Sequence, residues 1–67
     1  MMYLDVRTKE EYDEGHIAGA MHFDVNDISL GKIPACDKNE EIITYCVSGA
    51  RAGVAEEALR AHGFINV

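Results

Sequence analysis

The strongest constraint on the fold lies in the second half of the chain, where signals for a strand, a helix and another strand follow one another closely. The run Ile42–Cys46 is β-branched and aromatic, which is typical of a buried strand. From about Ala52 the pattern is helical, and Val54, Ala55, Ala58 and Leu59 are predicted to share its buried face. Gly63 is well suited to end that helix. The apolar run Phe64–Val67 then predicts a further strand. A strand, a helix and a strand with short connections form a right-handed parallel βαβ unit.

The first half of the chain shows the same alternation on a shorter scale. Strand, helix, strand and helical turn are predicted in that order over Met2–Val6, Thr8–Gly15, Ala20–Phe23 and Asp24–Gly31. Thr8 and Glu11 have the spacing of a capping box, and Gly15 suits the left-handed conformation that ends many helices. The alternation along the whole chain predicts an α/β fold, a small parallel sheet flanked by helices.

The composition fits one small globular domain. The chain has 67 residues, 48% of them hydrophobic and 27% charged, so neither disorder nor a fibrous repeat is indicated. A membrane-spanning helix needs about 20 consecutive apolar residues, and no such run occurs. The first residues lack the basic and apolar stretches of a signal peptide. The two cysteines, Cys36 and Cys46, are too few for a disulfide framework, which favours a reducing compartment, the cytoplasm.

The charge balance excludes two classes of partner. Twelve acidic residues stand against six basic ones, which gives a formal net charge of −6. Nucleic acids and anionic membranes are bound by clusters of Lys and Arg, and the basic residues of this chain are scattered along it. We therefore expect no nucleic acid and no membrane among the partners.

Cys46 lies where open parallel sheets bind their ligands, at the carboxyl end of a strand and just before a helix. The small residues that follow it allow successive backbone N–H groups to turn toward one anion, and the helix N-terminus adds partial positive charge. Both effects, together with a nearby Arg, favour a thiolate over a thiol. An inert buried cysteine is the alternative, but the combination favours a functional one. The predicted anion-binding loop consists of Val47, Ser48, Gly49, Ala50 and Arg51.

Five segments, taken in order, resemble a rhodanese-like domain: Leu4–Arg7, Glu11–Tyr12, Gly15–Ala20, Tyr45–Arg51 and Gly63–Val67. The patterns Gly-His-Ile-x-Gly-Ala and Cys-x-x-Gly-x-Arg are their most specific parts, and the matches run almost from end to end. The resemblance implies that Cys46 carries sulfur and cycles between thiolate and persulfide. It also implies that no metal or organic cofactor is needed.

The length of the loop distinguishes related activities. The six-residue loop from Cys46 to Arg51 resembles that of the rhodaneses, whereas the related phosphatases and arsenate reductases carry one residue more. A smaller loop suits a sulfur atom, so we expect a small sulfurtransferase that moves sulfane sulfur from an anionic donor such as thiosulfate to a thiol or to cyanide. A non-catalytic binding or regulatory module is the alternative. A phosphatase-like or arsenate reductase-like enzyme ranks lower.

Other polar residues have a structural and a functional interpretation. Asp5, predicted beside the Cys46 strand, either orients the loop amides or anchors the loop, and Arg7 is expected to pair with Glu11 or another carboxylate. These two are predicted to support the site.

His16 is expected to be buried and to tie two loops together, and Cys36 to be a plain loop cysteine rather than one that resolves a persulfide. The spacings of Cys and His match no usual zinc pattern, so no metal site is expected.

Both ends of the chain are short relative to the family pattern. The domains that it resembles begin with a further strand and helix and continue into a Trp-bearing helix, and this chain has no Trp. We therefore expect a single rhodanese-like domain over residues 1–67 that is incomplete at both termini. The strand order of the family then leaves Phe64–Val67 at an open sheet edge, which predicts self-association through residues 64–67.

Overall fold

A computed structural model describes residues 1–47 and 49–67 of the chain. Within these residues strands and helices alternate strictly. The strands are β1 (Met2–Asp5), β2 (Met21–His22) and β3 (Ile42–Tyr45), and the helices are α1 (Lys9–Glu14), α2 (Val25–Ser29) and α3 (Ala50–Ala61). The predicted α/β class is confirmed. None of the helices in the described ranges is long and apolar enough to cross a membrane.

The strands form one parallel three-stranded sheet in the order β2-β1-β3. Leu4 of β1 pairs with Met21 on one side and with Thr44 on the other. β1 is therefore the central strand, and all three strands end at the same edge of the sheet. Asp5 and Tyr45 lie side by side at this edge. The topology thus brings together the two chain regions in which the sequence places the site.

The core lies between the sheet and the helices α2 and α3, which pack against each other. Seven fully buried apolar side chains form it: Leu4, Val6, Ile28, Ile42, Ala55, Leu59 and Phe64. A domain of about 60 residues buries only about 60% of the surface that its unfolded chain exposes. This small cluster therefore has to supply most of the apolar stabilisation.

The short helices begin at the caps that the sequence predicts. The Thr8 hydroxyl accepts a hydrogen bond from the Glu11 N–H at 3.2 Å, and the Glu11 carboxylate accepts one from the Thr8 N–H at 3.1 Å. The Asp24 carboxylate likewise caps α2 by accepting from the Asn26 N–H at 2.8 Å. Gly15 ends α1 with φ 155° and ψ 140°. This positive φ favours glycine, but it is not the left-handed helical conformation that we expected, because the chain leaves the helix in an extended direction.

Helix α3 begins at Ala50, two residues before the predicted start, and its N-cap is Gly49 with φ 85°. A left-handed conformation at this position favours glycine. Ala55 and Leu59 are buried as predicted, whereas Val54 is 51% exposed. The reason is geometric: Ala55 and Leu59 lie one above the other at i and i+4, and Val54 is rotated about 100° from Ala55 and about 140° from Leu59.

The predicted strand over Phe64–Val67 is wrong: the segment forms no strand. Phe64 is buried in the core, and its backbone N–H donates to the Leu59 carbonyl of α3 at 3.1 Å. The Asn66 carbonyl accepts a hydrogen bond from the Ile42 N–H at 2.9 Å, and the Ile65 N–H donates one to the Lys38 carbonyl at 3.2 Å. Self-association through this segment stays a prediction.

Candidate active site

Cys46 lies directly beyond β3, and its half-buried side chain faces the first turn of α3. The sulfur Sγ accepts hydrogen bonds from the backbone N–H of Gly49 at 3.0 Å and of Ala52 at 3.3 Å. Hydrogen bonds to a charged group favour its charged form, and the N-terminus of α3 adds partial positive charge at the same place. The geometry therefore supports a nucleophilic sulfur at this position.

The predicted loop residues contribute through different groups. The backbone of Gly49 reaches the sulfur, whereas the side chain of Val47 is 76% exposed beside it. Ala50 is exposed and forms the first residue of α3. Ser48, which the sequence also assigns to the loop, lies outside the described residues.

Arg51 is held by a carboxylate from the other end of the sequence. Its Nη1 donates to Glu11 Oε1 at 2.7 Å, and its Nη2 donates to Glu11 Oε2 at 3.2 Å. This bidentate pair joins the first turn of α1 to the first turn of α3. The Arg51 guanidinium, with the Thr8 backbone N–H, lowers the pKa of Glu11 from 4.5 to about 2. The sequence indicates Glu11 as a capping residue and as an expected partner of Arg7, but nothing in it links Glu11 to Arg51, 40 positions away.

Asp5 is the buried centre of a second network. It has no exposed surface, and its carboxylate accepts hydrogen bonds from the Arg7 backbone N–H at 2.9 Å, from Arg7 Nη2 at 2.7 Å and from the Tyr45 hydroxyl at 2.9 Å. Burial alone would raise the pKa of Asp5, but the hydrogen bonds from Arg7 and Tyr45 outweigh it and hold that pKa below 3.8. Of the two roles expected for Asp5, these contacts support the structural anchor. The partner of Arg7 is Asp5 and not Glu11.

Tyr45 connects this network to the opposite loop. Its hydroxyl donates to Asp5 and accepts from the Ile17 backbone N–H at 3.2 Å. Burial raises the pKa of Tyr45, and the hydrogen bond to the Asp5 carboxylate raises it further. The guanidinium carbon of Arg7 lies 5.8 Å from the centre of the Tyr45 ring. Sequence analysis missed Tyr45 as a site residue, although its place before Cys46 was a usable signal.

An open pocket of about 300 Å³ lies beside the sulfur. Among the described residues, its lining comprises Arg7, His16, Ile17, Tyr45, Cys46 and Val47. The prediction that His16 is buried is wrong: its ring is exposed and stacks on Tyr12 with the ring centres 3.6 Å apart. Its Nδ1 lies 2.7 Å from the Tyr12 carbonyl oxygen, which can only accept, so Nδ1 is the donor. This ring therefore forms one wall of the pocket rather than a link between loops.

Cys36 is half-buried and packs against the hydrophobic core, away from the lining of the pocket. Within residues 1–47 and 49–67, no group of three or more His, Cys, Asp or Glu side chains is arranged to hold a metal ion. The contacts of Cys36 thus fit the plain loop cysteine expected from the sequence.

The lowered carboxylate pKa values predict acid sensitivity. The pKa of Glu11 is about 2 in the folded protein against an ordinary 4.5, so the folded state binds fewer protons than the unfolded state. The contribution of the ionised Glu11 to the stability of the folded state is complete above pH 4.5 and is lost as the pH falls toward 2. The lowered pKa of Asp5 makes folding sensitive to acid in the same direction. Thermal melting as a function of pH checks this. Glu11→Gln should flatten the profile, and an unchanged acid limb in that variant would contradict the assignment to the Glu11–Arg51 pair.

Comparison with known proteins places the chain in a family. Residues 1–67 match the family model of the rhodanese-like domain. Thiosulfate sulfurtransferase PspE of Escherichia coli is 32% identical over 97% of this chain and 64% of its own length. A thiosulfate:glutathione sulfurtransferase of Saccharomyces cerevisiae is 31% identical over 98% of this chain and 56% of its own length. The chain thus spans less than two thirds of both relatives.

Relatives of another kind and a solved structure complete the comparison. A tRNA uridine(34) hydroxylase of Hamiltonella defensa is 31% identical over 98% of this chain but only 20% of its own length. The crystal structure of a rhodanese-like domain from Anabaena superimposes with a TM-score of 0.88 at 32% identity, over 98% of this chain and 76% of that one. Fold, motifs and relatives agree, and the chain belongs to the rhodanese-like domain family.

Proposed function

We propose that the protein is a sulfurtransferase that carries sulfane sulfur as a persulfide on Cys46. The observation that carries this proposal is the sulfur atom itself, which accepts hydrogen bonds from the Gly49 and Ala52 backbone at the start of α3 and opens onto a pocket. A relative named thiosulfate sulfurtransferase supports thiosulfate as the type of donor, and one named thiosulfate:glutathione sulfurtransferase supports a thiol as the type of acceptor. Cyanide serves as the assay acceptor.

The reaction consists of two displacements at sulfur. In the first, the Cys46 thiolate attacks the outer sulfur of thiosulfate; a new S–S bond forms, the S–S bond of thiosulfate breaks, and sulfite leaves with the electron pair. In the second, an acceptor thiolate attacks the outer sulfur of the persulfide, and the electron pair of the broken bond returns to Sγ. No net oxidant or reductant is consumed. A covalent intermediate between two displacements predicts ping-pong kinetics.

The backbone of the loop supplies the electrostatic part of the catalysis. The N–H groups of Gly49 and Ala52 stabilise negative charge on Sγ before the first displacement and after the second. These donors are fixed by the start of α3, so they need no reorganisation during the reaction. The chemistry requires no metal and no organic cofactor. It requires a reduced cysteine, which fits a reducing compartment such as the cytoplasm.

Intact-mass measurement after incubation with thiosulfate tests the proposal. We expect the mass to increase by one sulfur atom, peptide mapping to place that atom on Cys46, and an added thiol to remove it. A protein that folds as described but takes up no sulfur from thiosulfate or from an organic persulfide would contradict the proposal. That result would favour a non-catalytic binding module of the same fold.

Arg51→Ala tests how the loop is positioned. Because both terminal nitrogens of Arg51 are bonded to Glu11, we propose that Arg51 positions the start of α3 rather than recognising donor charge. Its removal is expected to lower kcat/KM roughly tenfold, to the same extent for thiosulfate and for a neutral organic persulfide. Glu11→Gln keeps the cap of α1 and should cost less. A loss confined to the anionic donor would assign Arg51 to charge recognition instead.

A further inference from the structure

We propose that the pocket beside Cys46 selects a sulfur acceptor with an uncharged apolar or aromatic body, and that it disfavours acceptors that carry a carboxylate. This inference rests on the proposed function, since it names the class of thiol that the persulfide would meet. It is carried by the charges, the lining and the size of the pocket.

The first observation is that neither arginine near the sulfur brings uncompensated charge to it. Arg7, which lines the pocket, is paired with the buried carboxylate of Asp5 through Nη2 at 2.7 Å and Nε at 3.0 Å. Arg51 is paired with Glu11 through both terminal nitrogens. A carboxylate on the body of an acceptor would therefore meet only guanidinium groups that are already paired with a carboxylate, and it would approach a chain whose formal net charge is −6. The negative charge on the reacting sulfur atoms is stabilised separately, by the N–H groups of Gly49 and Ala52.

The second observation is the apolar character of the lining. Ile17 is 43% exposed and Val47 is 76% exposed, and both line the pocket next to Cys46. The exposed His16 ring, stacked on Tyr12 with the planes within 7° of each other, adds a flat wall. Exposed apolar side chains gathered around one reactive atom provide the surface that an apolar ligand buries.

The third observation is the size of the pocket. Its volume of about 300 Å³ lies at the lower end of the range found for small organic ligands. Cyanide and sulfite fill only a small part of such a volume, whereas a benzyl group together with its thiol fills a considerably larger part of it. The dimensions therefore favour an organic acceptor over an inorganic one.

The test compares benzyl mercaptan with 4-(mercaptomethyl)benzoate, which differs from it by one carboxylate on the far side of the ring. The protein is first loaded with thiosulfate, the donor is removed, and loss of the outer sulfur is followed by intact mass. We expect the second-order rate constant for benzyl mercaptan to be about fivefold higher or more. Equal rate constants, or a faster reaction of the carboxylate, would overturn the inference while leaving the persulfide mechanism intact.

Variants assign the preference to the pocket. Ile17→Ser is expected to lower the rate constant for benzyl mercaptan about threefold or more, because it removes apolar contact area from the lining. Ile65→Ser is the matched control: Ile65 is 76% exposed but lies outside the pocket lining, so this variant should leave the rate constant unchanged. Glu11→Gln removes the negative charge that compensates Arg51. The ratio of the rate constants for benzyl mercaptan and 4-(mercaptomethyl)benzoate should therefore fall about twofold or more. Equal effects of the two Ile→Ser variants would contradict the assignment.

A binding measurement keeps this inference separate from the sulfur chemistry. Benzyl alcohol and 4-(hydroxymethyl)benzoate have the same shapes as the thiols but cannot accept sulfur. Titration of each into the unmodified protein, followed by NMR, should shift the signals of Ile17 and Tyr45 with the alcohol and much less with the carboxylate. Shifts with neither compound, or stronger shifts with the carboxylate, would overturn the proposed pocket preference even if Cys46 proves to carry sulfur.

Discussion

Cys46→Ser is expected to abolish both uptake of sulfur from thiosulfate and its transfer to a thiol. A hydroxyl cannot form the persulfide, so the fall in kcat/KM should be about a thousandfold or more, to the background of the assay. The substitution is small and keeps the two backbone donors at the start of α3, so the fold should persist. Thiosulfate-dependent mass change and the cyanide assay measure the loss, and circular dichroism verifies folding.

Cys36→Ser is the matched control, since it makes the same chemical change at the other cysteine. Cys36 packs against the core and is absent from the pocket lining, so its replacement should leave kcat/KM within about twofold. A small loss of thermal stability is expected, because a half-buried apolar contact becomes polar. If the two variants lost activity equally, the assignment of a single nucleophile would be wrong, and a resolving role for Cys36 would follow.

The parts of the fold that are encoded locally were predictable. The capping box of Thr8 and Glu11, the cap at Asp24 and the strand before Cys46 each depend on residues a few positions apart, and each is present. Helical periodicity also identified Ala55 and Leu59 as the buried face of α3. Such features follow from hydrogen bonding and side-chain spacing alone, so no knowledge of tertiary contacts was required.

Features that depend on distant partners were not predictable. The Glu11–Arg51 and Asp5–Tyr45 contacts each join residues 40 positions apart, and sequence spacing carries no information about them. The apolar run Phe64–Val67 has strand-like composition, but its backbone bonds to Leu59, Lys38 and Ile42, which lie in three different parts of the chain and form no strand ladder with it. The exposed stacking of His16 on Tyr12 likewise depends on how the loop after α1 leaves the helix.

Arg7→Ala is expected to lower the free energy of unfolding strongly, although the Arg7 side chain is itself partly exposed. The Arg7 side chain bonds both oxygens of Asp5, whose own side chain has no exposed surface, and it also donates to the Gly15 carbonyl. Breaking a buried ion pair by removing one member costs about 3–5 kcal/mol in general, because the remaining charge stays buried without compensation. Small domains have total stabilities at the lower end of about 5–15 kcal/mol. The variant should therefore retain only about 0–2 kcal/mol of stability and be partly unfolded at room temperature, as circular dichroism and urea titration would show.

Two comparisons decide whether the buried charge is the cause. Arg60→Ala removes an arginine whose partner Glu56 is one turn away on α3, with both side chains about half exposed, and it should change the urea midpoint little. The double variant Asp5→Asn with Arg7→Met removes both charges of the buried pair and should recover much of the stability lost in Arg7→Ala, because no ion is then left in the core.

If Arg7→Ala were as stable as Arg60→Ala, the Asp5 carboxylate would have to reach water or another cation, and the anchoring role assigned to this pair would be wrong. If instead the double variant were no more stable than Arg7→Ala, the loss would come from the missing hydrogen bonds of the Arg7 side chain to Asp5 and Gly15, and these bonds rather than the charge would hold this edge of the sheet.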